Sequence, residues 1–89
     1  MYLGIIDVKP LEDFYLEITF ENNEKRIFDA KPYLAKGIFS ELLNTQLFNT
    51  VHVSFDTIEW ENGADLDPEM LYEQSVSETA ESTARSAKT

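Results

Sequence analysis

The feature that most restricts the fold is a strict alternation of apolar and polar residues in the segment Tyr15–Phe20. In an extended segment, the apolar side chains of Leu16, Ile18 and Phe20 lie on one face. This pattern is typical of an antiparallel strand that buries one face. Asn22 and Asn23 follow, which tolerate left-handed backbone, and residues 24–29 then return as a second strand. The pattern predicts a β-hairpin.

Two turn lengths are compatible with this hairpin, and they give different registers. A two-residue loop sets Phe20 opposite Lys25 and places a charge on the apolar face. A three-residue loop over residues 22–24 sets Ile18 opposite Phe28, so that apolar side chains pack across the strands. We therefore predict the three-residue loop.

A second hairpin is predicted from the alternation in residues 51–55 and 58–61. A tight turn at Asp56 and Thr57 would join these strands. The turn gives three cross-strand pairs, Phe55 with Ile58, Val53 with Trp60, and His52 with Glu61.

The other segments predict one more strand and a few short helices. Residues 3–9 form a first strand, residues 38–44 carry apolar positions at helical spacing, and residues 62–63 (Asn-Gly) form a turn. Asp67 as N-cap and Pro68 at the first helical position begin a last helix. We predict an α+β fold, a small antiparallel sheet of about five strands, two hairpins plus an N-terminal strand, packed by one or two short helices.

The length of 89 residues allows one compact core. Residues 1–73 contain nearly all the large apolar side chains and are predicted to form a single domain. Residues 74–89 consist mainly of Ser, Thr, Ala and Glu, so we predict a disordered tail. The chain has no cysteine, no run of roughly 18–20 apolar residues, and an N-terminal run too short and too soon charged for a signal peptide. We expect a cytoplasmic protein that does not span a membrane.

The charge of the chain is −10, and its placement is uneven. Residues 54–73, named here the acidic segment, contain seven acids and no base. Such a field disfavours nucleic acid, because that binding depends on Lys and Arg that neutralise phosphates. Acidic surface also keeps small domains soluble. As a functional hypothesis, we predict a basic protein partner that contacts Glu59, Glu61, Asp65 and Glu69.

A metal-binding or hydrolytic site is the alternative hypothesis, built on His52, Asp65 and Asp67. Carboxylate-rich loops can hold Ca²⁺ or Mg²⁺, but the ligand spacing of an EF-hand is absent from the acidic segment. His52 and Ser54 share a strand face with nearby carboxylates, yet a flat sheet face offers neither an oxyanion hole nor a cleft. We therefore expect no catalytic residue, metal or cofactor, with Asp67 serving as a helix cap.

The bases form one local cluster, consisting of Lys25, Arg26, Lys31 and Lys36. These side chains could contact nucleic acid or an acidic partner, or they could offset neighbouring acids such as Glu21 and Glu24. We favour the second role. The oligomeric state stays open, since outward Tyr15 and Ile27 on the first hairpin, or an unpaired edge strand, could support a dimer.

Several motifs resemble a bacterial family catalogued as domain of unknown function 2442. The resemblance covers residues 6–75, with Asn23 and Glu61 at positions where the family more often has Gly and Pro. Its motifs are YLEITFEN at 15–22, RIFD at 26–29, PYL at 32–34, GIF at 37–39 and IEWENGADLDPEMLY at 58–72.

The resemblance implies a small stand-alone α+β domain with no established activity. Members of the family are often encoded beside another small protein, an arrangement similar to toxin and antitoxin operons. The resemblance therefore implies a protein partner, and a small basic protein from the same operon is the candidate. It supplies no catalytic residues, and this chain lacks the helix-turn-helix module that some members carry.

Overall fold

The computed structural model describes residues 3–77, which fold as two antiparallel sheets over one core. The strands are β1 (Ile5–Pro10), β2 (Tyr15–Phe20), β3 (Lys25–Asp29), β4 (His52–Ser54), β5 (Thr57–Glu59), β6 (Asp65–Leu66) and β7 (Val76–Ser77). The first sheet has the strand order β1-β2-β3-β7 and the second has the order β4-β5-β6. The helices are α1 (Thr45–Phe48) and α2 (Pro68–Gln74), and 3-10 helices span Glu12–Phe14, Lys31–Tyr33 and Gly37–Leu43.

The α+β class is confirmed, although the sheet differs in detail from the prediction. All five predicted strands are present, but they divide between two sheets, and β6 and β7 are additional. Each of these two strands has only two residues, which is too short to show an alternating pattern. None of the helices in residues 3–77 is long and apolar enough to cross a membrane.

The first hairpin has a three-residue loop, as predicted, but the loop lies one position earlier. Leu16 pairs with Phe28 and Ile18 with Arg26, so the predicted pairing of Ile18 with Phe28 was wrong. The reason is the backbone of Asn23, whose φ of 68° supplies the left-handed residue that ends such a loop. Because the error is two residues, the predicted inward face of β2 is right, and its side chains are fully buried. Ile27, which was expected to face outward, is also buried, so that expectation was wrong.

The second hairpin also differs by two residues. Its turn is Phe55-Asp56, and β4 and β5 pair His52 with Glu59 and Val53 with Ile58. The predicted pairs of His52 with Glu61 and of Val53 with Trp60 were therefore wrong. The reason lies after β5. The Asn-Gly turn at residues 62–63 bonds the Trp60 N–H to the Ala64 carbonyl oxygen at 2.9 Å, which takes Trp60 out of the hairpin.

The predicted helix over residues 38–44 is a 3-10 helix, Gly37–Leu43. A 3-10 helix has three residues per turn, so Phe39 and Leu42 share its inward face. Leu42 is fully buried and Phe39 is packed against the core. Ile38 and Leu43, which an α-helical repeat would also bury, are exposed.

The last predicted helix is confirmed as α2, with Asp67 as its N-cap and Pro68 in its first turn. The Met70 N–H donates to Asp67 Oδ2 at 3.0 Å. The helix continues to Gln74, and β7 then pairs with β3 through Arg26 and Ile27. Residues 74–77, predicted as part of the tail, thus complete α2, form its C-cap and build β7. Residues 78–89 of the predicted tail lie outside the described residues.

Side chains from both sheets, α1 and α2 form the core. Trp60 lies near its centre, 1% exposed, with its ring 6.0 Å from that of Phe48. Its indole N–H donates to the Phe48 carbonyl oxygen at 2.9 Å, which fixes α1 against the second sheet. The largest fully buried side chains are Trp60, Phe20, Phe28, Phe48, Leu16, Ile18, Leu42, Ile58 and Leu71.

Candidate interaction surface

The acidic segment includes the last residue of β4, all of β5 and β6, and nearly all of α2. Of its seven acids only Glu59 is half-buried. The exposed ones are Asp56, Glu61, Asp65, Asp67, Glu69 and Glu73. The short elements of this region turn their apolar residues inward, among them Ile58, Trp60, Ala64 and Leu71, so the intervening acids face water.

The second sheet places two of the predicted contact residues in one row. Glu59 on β5 lies opposite His52 on one side and opposite Asp65 on the other. Like charges at directly opposed positions destabilise a sheet. The pairing of Glu59 with Asp65 thus places two carboxylates at directly opposed positions of neighbouring strands.

The other two predicted contact residues flank this row. Glu61 is exposed in the turn after β5, where its N–H donates to Thr50 Oγ1 at 3.2 Å. Glu69 is exposed in the first turn of α2, a favourable place for a carboxylate near the N-terminus of a helix. Glu69 therefore has a structural role of its own.

The residues of the alternative, hydrolytic hypothesis have separate surroundings. His52 Nδ1 lies 2.9 Å from the carbonyl oxygen of Thr50, and Asp67 caps α2. Asp65 is separated from His52 by the intervening strand β5. Within residues 3–77, no three His, Cys, Asp or Glu side chains are grouped so that they could hold a metal ion.

A cavity of about 360 Å³ lies elsewhere, between α1 and the bend that follows β1. Its walls include Leu11, Phe14 and Phe48, with Glu12 and Thr45 as polar members. None of the predicted site residues lines this cavity, and no sequence signal pointed to it. Its bend contains Asp13 and Phe14 at positive φ, a conformation that the alternation pattern cannot reveal.

Two of the four clustered bases have partners within the domain. Arg26 bonds Glu24 at 2.7 Å, and Lys31 lies 3.1 Å from Asp29 Oδ1 and 3.4 Å from Asp13 Oδ2. Burial lowers the pKa of Lys31, but the hydrogen bonds to these carboxylates raise it above its usual value overall. Lys25 and Lys36 are exposed. The interpretation that the bases offset neighbouring acids thus fits Arg26 and Lys31.

Arg26 is the centre of a polar network that sequence reasoning missed. Its guanidinium donates to Ser75 Oγ at 2.8 Å and to the Ser75 carbonyl oxygen at 2.6 Å, and it stacks 4.2 Å from the ring centre of Tyr72. The Tyr72 hydroxyl donates to Glu24 Oε1 at 2.7 Å. This network ties β7 and the C-terminal end of α2 to the first hairpin.

The network predicts a pH dependence of stability. The hydrogen bond from Tyr72 and those from Arg26 and Asn22 hold the pKa of Glu24 below its usual 4.5, and the same bond to Glu24 raises the pKa of Tyr72 above 10.0. Because the pKa of Glu24 is lowered by folding, its carboxylate stabilises the fold above about pH 4.5. This stabilisation is lost as the pH falls through the pKa of the folded state. Because the pKa of Tyr72 is raised by folding, its hydroxyl stabilises the fold below about pH 10. This stabilisation is lost as the pH rises through the pKa of the folded state.

We expect Tyr72→Phe to weaken both the acid and the alkaline dependence, because the variant lacks the shared hydrogen bond. The measurement is the free energy of unfolding from urea titrations at pH values from about 3 to 11. Wild type should lose stability at both ends more steeply than the variant. Parallel pH profiles for the two proteins would contradict the assignment.

Comparison with known proteins identifies a family for residues 5–77. A family model described as a protein of unknown function (DUF2442) matches residues 5–77. Neither the curated proteins nor the solved structures contain a significant match. The matched range begins at the first residue of β1 and ends at the last residue of β7, so it coincides with the two sheets and the helices between them.

Proposed function

The chain belongs to the DUF2442 family, and for this member we propose the role of a non-catalytic protein-interaction module. The acidic segment is its binding surface, and the partner is a basic protein. Glu59, Glu61, Asp65 and Glu69 are the contact residues. The proposed setting is the bacterial cytoplasm.

The observation that carries this proposal is the exposed and base-free character of the acidic segment, with Glu59 and Asp65 directly opposed on neighbouring strands. A sheet that served only its own stability would gain by placing opposite charges there. A basic partner removes the repulsion when it binds, because its Lys and Arg side chains neutralise both carboxylates. Both carboxylates then gain oppositely charged partners in the complex.

The partner that we propose is a small basic protein encoded next to this chain, which the chain neutralises as an antitoxin neutralises a toxin. Support for this finer proposal comes from the gene arrangement that the resemblance implies. Net charge of −10 supports it too, because opposite net charges accelerate association.

The experiment is a pull-down of the tagged full-length chain from its native cells at low salt, with mass spectrometry of the bound proteins. We expect one stoichiometric basic partner. With both proteins purified, the association rate should fall by about tenfold or more between roughly 20 mM and 300 mM salt, because exposed charges are screened. An association rate that is the same at both salt concentrations would contradict binding by the acidic segment.

A further inference from the structure

The turn of the second hairpin presents an aromatic side chain to solvent. Phe55 is 98% exposed, whereas the other exposed large apolar residues lie between 44% and 56%. It therefore has almost no contact with the rest of the domain. Every other phenylalanine is buried or packed against the core.

The backbone of Phe55 is unfavourable as well. Its φ is 56°, in the left-handed region that Gly, Asn and Asp adopt most readily. Two-residue hairpin turns favour Gly or Asn where φ is positive, and a bulky residue there strains the backbone. Phe55 thus has a strained backbone and an apolar side chain exposed to water, and both are energetically unfavourable. Packing within the domain does not compensate for either of them.

The base of the turn is held in place by the first sheet. The Ile5 N–H donates to the Asp56 carbonyl oxygen at 3.0 Å. Gly4 also donates to Glu21 Oε1 at 3.1 Å, and the Glu21 N–H donates to the Gly4 carbonyl oxygen at 2.9 Å. These bonds join β1, the loop of the first hairpin and the Phe55-Asp56 turn. The backbone that carries the Phe55 ring is therefore held in place by the first sheet.

Two carboxylates lie close to this part of the backbone. A Cβ on Gly4 would lie 2.8 Å from Glu21 Oε2 and 3.3 Å from Asp56 Oδ1, which places both acidic side chains beside the same backbone atom. Glu21 and Asp56 are exposed, as is Ile6 on the adjacent strand. The turn therefore shows an apolar tip with an acidic rim.

We propose that Phe55 is the apolar anchor of the interface, inserted into an apolar pocket that Lys and Arg side chains border on the basic partner. This inference rests on the proposed function and adds the residue on which affinity depends. Aromatic anchors at the centre of an interface dominate binding when a polar rim excludes water around them. A second copy of the chain is disfavoured as the occupant, since it would bring the same carboxylates and the same net charge of −10 to the contact.

The first test is photo-crosslinking in the native cells. Phe55 is replaced by p-benzoyl-phenylalanine in one strain, and Leu43, exposed on the Gly37–Leu43 helix, is replaced in a second. A third strain carries the crosslinker at Glu69. We expect one basic protein to be crosslinked from position 55 and none from position 43.

The second test uses the basic protein that crosslinking identifies, purified in its unmodified form, as the binding probe. We expect Phe55→Asn to weaken its binding by about tenfold or more, and Leu43→Asn to change it less than about twofold. Because Asn adopts positive φ with less strain, Phe55→Asn should also raise the melting temperature by roughly 4 °C. Weaker binding by a more stable protein is a result that a structural role of Phe55 cannot give.

Each other outcome has a definite meaning. Crosslinks to a basic protein from position 69 but not from position 55, or unchanged affinity of Phe55→Asn, would refute the anchor and leave the proposed function in place. No crosslink to a basic protein from either position would refute both. A crosslink from position 55 to a second copy of the chain would show that Phe55 contacts a homodimer interface, and it would refute a basic partner at this residue.

Discussion

Replacement of Trp60 by alanine is expected to lower the free energy of unfolding by about 3–5 kcal/mol, the largest effect of any substitution considered for this chain. The side chain is 1% exposed, packs on Phe48 and makes a buried hydrogen bond to the carbonyl oxygen of that residue. Alanine leaves a cavity between the second sheet and α1, and the carbonyl oxygen loses its donor. Small domains have only about 5–15 kcal/mol of stability, so the variant will be close to unfolding.

The measurement is urea unfolding followed by far-ultraviolet circular dichroism, since Trp60 is the only tryptophan and its fluorescence is lost. Trp60→Phe, which retains a ring but not the indole N–H, should cost about 1–3 kcal/mol. Leu43→Ala is the control for an exposed apolar residue and should stay within about 0.5 kcal/mol of wild type. A loss below about 1 kcal/mol for Trp60→Ala would contradict its position at the centre of the core.

Replacement of Arg26 by alanine should cost about 2–3 kcal/mol and release the C-terminal part of the fold from the first hairpin. The guanidinium makes two hydrogen bonds to Ser75, which is 4% exposed, and a further one to Glu24. Without it, the Ser75 carbonyl oxygen and hydroxyl lose charged donors in a nearly buried place. Lysine carries the charge but lacks the planar fork, so Arg26→Lys should recover only part of the loss.

Hydrogen exchange measured by NMR separates this effect from a general loss of stability. We expect the amides that bond β3 to β7 to exchange much faster in Arg26→Ala, while the β1-β2 pairing keeps most of its protection. Lys25→Ala is the matched control, because Lys25 is an exposed base on the same strand. Equal losses of protection across the whole sheet would show that Arg26 does not act locally on β7.

Some parts of this fold follow directly from the sequence. The faces of β2 could be predicted because alternation has a period of two, and a register error of two residues preserves it. The start of α2 could be predicted because an Asp-Pro pair specifies both the N-cap and the first turn.

The registers could not be predicted, because they depend on which residue accepts positive φ. In the first hairpin that residue is Asn23, one of two adjacent asparagines, and in the second it is Phe55, which turn preferences would never select. The strand β7 could not be predicted either, since its pairing depends on a long-range contact between Arg26 and Ser75.

The acids of the candidate site were evident from the sequence, but their arrangement was not. The segment from 54 to 73 contains no base, and this could be read directly. That Glu59 faces Asp65 depends on β6, a strand of two residues whose pairing with β5 carries no alternation signal. The exposure of Phe55 likewise depends on the position of the turn, because the predicted register placed it within a strand.

We propose that the acidic segment binds the partner by the position of its carboxylates and not merely by net charge. The most direct test compares two triple variants with the same net charge, using the basic partner recovered from native cells as the probe. One neutralises the exposed acids of the acidic segment, Glu61→Gln, Asp65→Asn and Glu69→Gln. The other neutralises exposed acids outside it, Asp7→Asn, Glu12→Gln and Asp13→Asn.

Isothermal titration calorimetry at about 50 mM salt gives the dissociation constants of both variants and of wild type. The first variant should bind about tenfold or more weakly than wild type, because it lacks carboxylates that contact the partner. The second should bind within about threefold of wild type, since it changes only the long-range field. Equal weakening in the two variants, or wild-type affinity in the first, would contradict the assignment of the acidic segment as the binding surface.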